Sequence, residues 1–595
     1  MKVPGLDEGS IRQHANAESF QRGQDYYRNG TVLSLVQRDD VLQAEVEGSQ
    51  YDPYRVRVVF DQGGITETTC TCPYTWGGWC KHIVAVLLAC LHAAEEIEVR
   101  PALDELLAGL DGEQLRGLVL DLATHSPGLA NELEDRIALL CTALDDVKGT
   151  ETTAPSPRRT TVDPKPIRRR VSGILHSLDR MRPSEAYWQV DSVVSQVGQV
   201  LDQAQSFVGA GDGENALVYL EAITDEYVEG WLYLDDSDGY AGGFFGTLGE
   251  TWTRAALVAE LSSEERKRWA DKLTRWQSAI GDYGVDDVFD AAQAAFLQGW
   301  DYPPLRRVLQ GEITQRGAWE VVPPWYADDL AAARLDILEQ QERYQEFLYL
   351  AEAEGQMARY VLMLARLGRV PEAVDEGMRH LYDPSQLLEL AKTLREQGAL
   401  TEALRIAEHG LSHDGYKAPL ANWLCDLALG QDKSDLALRA AEVACRADPG
   451  LDIYLRVQQL AGDRWPQIQE SLLAYMRKEA RGFSGGHIDI LLYENCWDDA
   501  IAAVERNASY ELLERVMDAV VEHRPEWVIQ AARREAERII EAGKSKYYHH
   551  AVEWLDRAQA AYRSAGREPE WQAYLSEIRE LHGRKYKLMG MLKGV

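Results

Sequence analysis

The chain has 595 residues, with Lys+Arg 63 against Asp+Glu 96 and a formal net charge of −33. Hydrophobic residues make up 45% and charged residues 27%, an ordinary globular balance that excludes disorder throughout. At about 100–200 residues per domain, this length calls for several domains or one extended repeat array. The acidity argues against nonspecific coating of nucleic acid, which needs clustered positive charge, but leaves room for a local basic patch.

The opening MKVPGLDEGS has no apolar core of a secretory signal. The longest apolar run, Ile83 to Leu91, falls far short of the roughly 20 residues that span a bilayer. A soluble, cytoplasmic protein with no membrane partner is expected. Disulfides are improbable in that setting. Of the eight cysteines, Cys70, Cys72 and Cys80 fall within eleven positions and the rest are scattered.

Residues 15–29 read as a short amphipathic helix with Phe20, Tyr26 and Tyr27 on its apolar side and Gly30 as its stop. Strands follow at Thr31–Gln37, Val41–Glu47, Tyr54–Phe60 and Ile65–Cys72. Val56, Val58 and Phe60 alternate against Arg55, Arg57 and Val59, and Asp61-Gln62-Gly63-Gly64 is a hairpin signal. The pattern turns helical from Ile83 to about Glu96, so the expected unit is an antiparallel meander closed by one helix. Residues 99–148 read as a helical extension. Residues 149–167 have a linker's Thr, Pro and Ser content. Arg158, Arg159, Lys165 and Arg168 to Arg170 make its far end basic, as a solvated hinge or a phosphate-contacting arm.

From 168 to 595 helical periodicity dominates. Leu367-Gly368-Arg369, Gln397-Gly398-Ala399 and Leu429-Gly430-Gln431 each precede a second helix, at Gly-to-Gly steps of 30 and 32 residues. This pattern resembles the tetratricopeptide (TPR) repeat, whose period is about 34. Stacked helix pairs bury faces that a single pair cannot, which predicts a TPR-like α-solenoid. The fold class expected is therefore a small α+β N-terminal domain (1–98) followed by a mostly α-helical solenoid (168–595).

The segment Cys70-Thr-Cys72-Pro-Tyr-Thr-Trp-Gly-Gly-Trp-Cys80-Lys-His82 has the form C-x-C-x7-C-x-H. In an extended C-x-C both sulfurs leave one face of the strand. Pro73 and Gly77-Gly78 turn the chain back, and Cys80 with His82 then reaches the start of the next helix, where the helix dipole favours thiolates. Three sulfurs and one imidazole are a standard structural Zn²⁺ set, so Cys70, Cys72, Cys80 and His82 are the expected ligands. All four coordination positions are filled, which disfavours a catalytic zinc, since catalytic sites keep one position for water. Cys90 reads as core. Tyr74, Trp76 and Trp79 either pack over the metal hairpin or offer rings to a base or a partner.

These residues resemble a SWIM zinc finger, and the Phe20/Gly23/Tyr26-Tyr27/Gly30 region is similar to the N-terminal context of large bacterial SWIM-domain proteins. The resemblance covers roughly the first hundred residues. It implies zinc ligation by those four residues and a role in DNA or protein binding, and it implies no reaction. Residues 1–98 hold eight Lys/Arg and fourteen Asp/Glu, a poor surface for phosphates.

Other motifs carry less. Ala542-Gly543-Lys544-Ser545 ends like a phosphate loop, but Arg538 stands where a glycine is needed. Asp236-Ser237-Asp238-Gly239 reads as an acidic turn, and His409/His413 and His549-His550 as surface or structural histidines. No catalytic constellation stands out. The expected function is a zinc-binding, non-enzymatic adaptor for protein partners. The alternative is a nucleic-acid-binding subunit working with a helicase-type ATPase. The sequence does not specify the oligomeric state.

Overall fold

The computed structural model describes residues 3–50, 52–74, 77–125, 162–179, 181–478, 485–507 and 509–592. The linker residues 149–161, with Arg158 and Arg159, lie outside them, as do Cys141 and Trp76. By contact, the chain divides into two compact units: Met1–Leu115 with Tyr382–Lys392 and Leu400–Val595, and Arg116–Leu381 with Thr393–Ala399.

The first unit opens with α1 (Glu8–His14) and α2 (Ala17–Arg28). Strands β1 (Val32–Arg38), β2 (Val41–Val46), β3 (Tyr54–Asp61) and β4 (Gly64–Cys70) follow as an antiparallel meander, and then α3 (Lys81–His92). The alternation in β3 holds: Tyr54, Val56, Val58 and Phe60 are buried while Arg55 and Arg57 point away. That face meets α3, whose Ile83 to Cys90 are buried because α2 packs on its other side. The approach to α2 is close at Gly23, where a Cβ would lie 2.4 Å from Val84 Cγ1.

Two elements depart from the sequence reading. The helix α1 was not expected; Asp7 and Ser10 cap it reciprocally, and Ile11 anchors it in the core. A fifth strand, β5 (Glu98–Val99), pairs parallel with β1, giving the order β4-β3-β2-β1-β5. The helical extension is helical over Leu103–Ala108 and Gly112–His125.

The same unit holds the helices Leu400–Gly410, Ala418–Gly430, Ser434–Ala447 and Leu451–Ala461 and those that follow. The N-terminal module packs directly on them. The β3–β4 turn meets the end of the 418–430 helix, where Gln431 Nε2 donates to the Gln62 carbonyl at 2.8 Å. A Cβ on Gly430 would lie 2.3 Å from the Gly63 carbonyl oxygen. Alanine in a helix normally outranks glycine by about 1 kcal/mol. Here the clash reverses the sign, since overpacking against backbone costs about 1–3 kcal/mol. Gly430→Ala is expected to lower the denaturant midpoint, whereas Gly198→Ala, which meets nothing within 4 Å, raises it.

In the second unit, the helical region expected from residue 168 opens with the helix Pro164–Leu175, four residues earlier than the sequence suggested. Asp163 caps it and proline is favoured in a first helical turn, so the linker-like composition continues into the helix. Arg168 pairs with Asp225 at 2.6 Å, which spends one charge of the basic cluster. The core gathers Phe245, Trp252, Phe289 and Phe296, and Trp252 Nε1 donates to Thr224 Oγ1 at 2.9 Å.

The repeat turns share one backbone device. Gly368 and Gly398 are left-handed (φ 72° and 74°) and each closes a preceding helix. The residue after each donates back five positions: Arg369 to Leu364 and Ala399 to Leu394, both at 2.9 Å. In the third turn the left-handed residue is Asp432 (φ 54°), and Lys433 donates to Ala428 at 2.8 Å. Gly430 is the last helical residue instead. The steps between the left-handed positions are therefore 30 and 34 residues (398−368 and 432−398), nearer the repeat period than the glycines alone.

Candidate metal centre

β4 delivers Cys70, opposite Val56 of β3, and the Thr71 amide still donates to the Arg55 carbonyl at 3.0 Å. The chain therefore stays tied to β3 while it carries Cys72 round. Cys80 stands at the N-cap of α3, and His82 lies in the first turn. The structure brings Cys70, Cys72, Cys80 and His82 together, with one donor atom of each within 4.8 Å of all the others. His82 Nδ1 faces Cys70 Sγ at 3.7 Å and Cys80 Sγ at 3.9 Å. A tetrahedral zinc with Zn–S of about 2.3 Å and Zn–N of about 2.0–2.1 Å sets such edges at about 3.5–3.8 Å, so the donor set fits the ion.

The local electrostatics favour thiolate chemistry. The Cys80 thiol is pushed down to about 4: a hydrogen bond from Cys70 outweighs burial, and His82 and the Ile83 amide add to it. The hydrogen bond to Cys80 and burial push Cys70 the other way, and burial raises Cys72. A divalent ion lets all three ionise, which is what ligation requires.

Sequence reasoning missed the shell around the imidazole. Tyr54 stacks on the His82 ring at 4.5 Å and Tyr26 meets it edge-on at 5.4 Å. Among the described residues His82 Nε2 is buried without a hydrogen-bond partner, and these rings orient the imidazole. The opening of β3, directly across from the end of β4, was the signal for Tyr54. Lys81 Nζ donates to the Tyr26 hydroxyl at 2.7 Å and lies 4.3 Å above that ring, which anchors it beside the site.

The loop aromatics pack inward. The Tyr74 hydroxyl accepts from Asn16 Nδ2 at 2.8 Å and donates to the Gly77 carbonyl at 3.2 Å. The Trp79 ring lies tilted against His14 at 4.6 Å, and its amide donates to the His14 carbonyl at 2.7 Å.

Residues 54–91 match the SWIM zinc finger family model. The chain carries a SWIM zinc finger. Zinc finger SWIM domain-containing protein 8 of Mus musculus is 23% identical over 359 residues, 51% of this chain and 19% of that protein. The Bos taurus protein of the same name is 32% identical over 122 residues, 20% of this chain and 9% of the relative. The chain thus spans a fifth or less of the curated relatives it matches. A solved circular tandem repeat protein aligns over 73% of this chain and 98% of its own at 17% identity, but its TM-score of 0.17 defines no shared fold.

The SWIM finger uses three of the seven described cysteines. Burial pushes the thiols of Cys90, Cys425 and Cys445 up to about 12. Thiolate is the reactive form, so these three are expected to resist maleimide at about pH 8 until denaturant is added. Peptide mass spectrometry reads this directly; labelling of any of them in the native protein contradicts the packing.

The other motifs resolve structurally. Asp236 accepts from the Ala241 and Gly242 amides at 2.6 and 2.8 Å and so caps the next helix. Gly543 is a left-handed helix stop (φ 71°), which accounts for it without a phosphate loop. His409 and His413 share a 3.0 Å nitrogen contact, and neither belongs to a potential metal cluster among the described residues. No helix of the described residues is long and apolar enough to cross a membrane.

Proposed function

We propose that the protein is a non-enzymatic adaptor, in which Cys70, Cys72, Cys80 and His82 hold a structural zinc and the helical surface receives a protein partner. The observation that carries this reading is the complete set of four soft donors within 4.8 Å at the junction of β4 and α3. A filled shell leaves no position for water or substrate, so the ion cross-links the chain and performs no reaction there. The acidic helices and paired arginines such as Arg168 support a protein partner over nucleic acid.

The test is affinity purification of the full chain and of Cys80→Ser under reducing conditions, with a gel shift on duplex DNA at low salt beside it. The adaptor reading expects a stoichiometric protein partner and no shift. DNA binding with a steep salt slope, and no protein partner, would favour the nucleic-acid-binding alternative instead.

A further inference from the structure

Far from the SWIM finger in sequence, the helices Tyr510–Val520, Pro525–Ala542 and Tyr548–Ser564 enclose a cavity of about 680 Å³. That lies within the range of about 300–1,000 Å³ typical of ligand sites. Tyr510, Tyr547 and Trp554 form its aromatic wall, with Ile539 beside them. The Tyr510 and Trp554 rings stand 5.9 Å apart. Trp554 is 1% exposed whereas Tyr510 is 49% exposed, so one ring is fixed and the other is accessible from outside.

The charges on the lining are almost all engaged. Glu511 pairs with Arg515 at 3.3 Å, Glu514 with Arg557 at 3.6 Å, Arg538 with Glu535 at 3.0 Å and His550 with Glu553 at 2.9 Å. Among the described residues, Lys544 alone of the charged lining side chains has no ion-pair partner. Gly543 stops the preceding helix and brings Lys544 to the cavity. From Ala542 to Val552 the chain has Lys544, Lys546, His549 and His550 and no acid. Residues 510–592 hold fourteen Lys/Arg and fourteen Asp/Glu, so this end carries none of the net charge of −33 that would repel an anion.

We propose that this cavity binds an aromatic group bearing an anion, with the ring against Tyr510, Tyr547 and Trp554 and the anion at Lys544. A free aromatic carboxylate or an acidic peptide segment with an aromatic side chain supplies the same chemistry. The proposal is independent of the zinc reading.

The full-length protein is titrated with anilinonaphthalene sulfonate, followed by its fluorescence and by energy transfer from tryptophan. One saturable site is expected. Lys544→Glu weakens it about tenfold by reversing the one lining charge without an ion-pair partner among the described residues. Tyr510→Ala weakens it about fivefold by removing a stacking ring. Both positions are exposed, so thermal midpoints stay near the parent value, and Lys544→Gln gives an intermediate loss. Displacement of the probe by indolepropionate identifies the free acid as a fitting ligand; displacement only by the acetylated, amidated peptide Glu-Trp-Glu identifies the peptide. Absence of saturable binding, affinity unchanged in both variants, or equal affinity for uncharged N-phenylnaphthylamine would overturn the proposal.

Discussion

Replacing Cys80 with serine is expected to abolish stoichiometric zinc and to unfold the SWIM finger as a separate transition. Zinc binding supplies roughly 10 kcal/mol or more of folding free energy in small fingers. Part of that survives here, because Phe20, Leu42, Val56 and Leu87 give the module an apolar core of its own. The damage spreads along a defined route. The ligand loop is tied to the end of α1 by the Trp79 amide on the His14 carbonyl at 2.7 Å. Gly78 also lies against that carbonyl, where a Cβ would come within 2.6 Å. His14 in turn contacts Asp426 of the 418–430 helix at 2.9 Å. Hydrogen exchange of the full chain, with and without chelator, should therefore show lost protection in residues 81–92 and in α1. Residues 418–461 should lose it next, and the second unit should not. Cys90→Ala serves as the control, since removing one buried sulfur costs about 1 kcal/mol without touching the ligands. Equal exchange in Cys80→Ser and parent protein would show that the cluster holds no structural ion.

How much of this was legible in the sequence depends on how local each cause is. The four metal donors sit within thirteen positions, and both their grouping and their placement between a strand and a helix follow from that spacing. The meander follows from alternation in β3 and from the Asp61–Gly64 turn. The strand β5 was illegible because two residues, Glu98 and Val99, join the sheet through main-chain pairing with Val36 and Gln37, which leaves no side-chain period. The helix α1 offers one buried apolar side chain, Ile11, too few for a periodic signal. Docking of the finger on the later helices was the largest omission. It joins Gln13 and His14 to residues more than 400 positions away, and no pattern in a single sequence reports such pairing. One clue existed. Asp426 interrupts the apolar run Leu424-Cys425 and Leu427-Ala428, where a charge needs a partner. Gly430 was read as a turn residue because its neighbours fit a repeat, whereas the close approach of Gly63 is what requires its small size.

Asp426→Ala should destabilise the first unit by about 3–5 kcal/mol, the cost of leaving a buried charge unpaired. Its partner Arg456 is 1% exposed, donates to both Asp426 and Gln13, and keeps its Nε buried without a partner among the described residues. Replacing both residues, as Asp426→Ala with Arg456→Met, should recover most of the loss, because an apolar pair of similar volume carries no desolvation cost. Acid titration adds a second signature. Burial alone would raise the Asp426 carboxyl, but the Arg456 guanidinium and the His14 ring outweigh it and hold the group below the usual carboxylate range. A depressed folded-state value means that the unfolded chain binds the proton first as pH falls. The stabilisation is thus complete above the ordinary aspartate value of about 4 and disappears as pH drops through the lower folded value. Urea unfolding of the parent should weaken over that acid window. In Asp426→Asn the contribution of this group to the slope should vanish, on a curve already lowered at neutral pH. An Asp426→Asn curve that parallels the parent through the same window would mean that the carboxylate is not ionised against Arg456, and that the finger docks on these helices by shape alone.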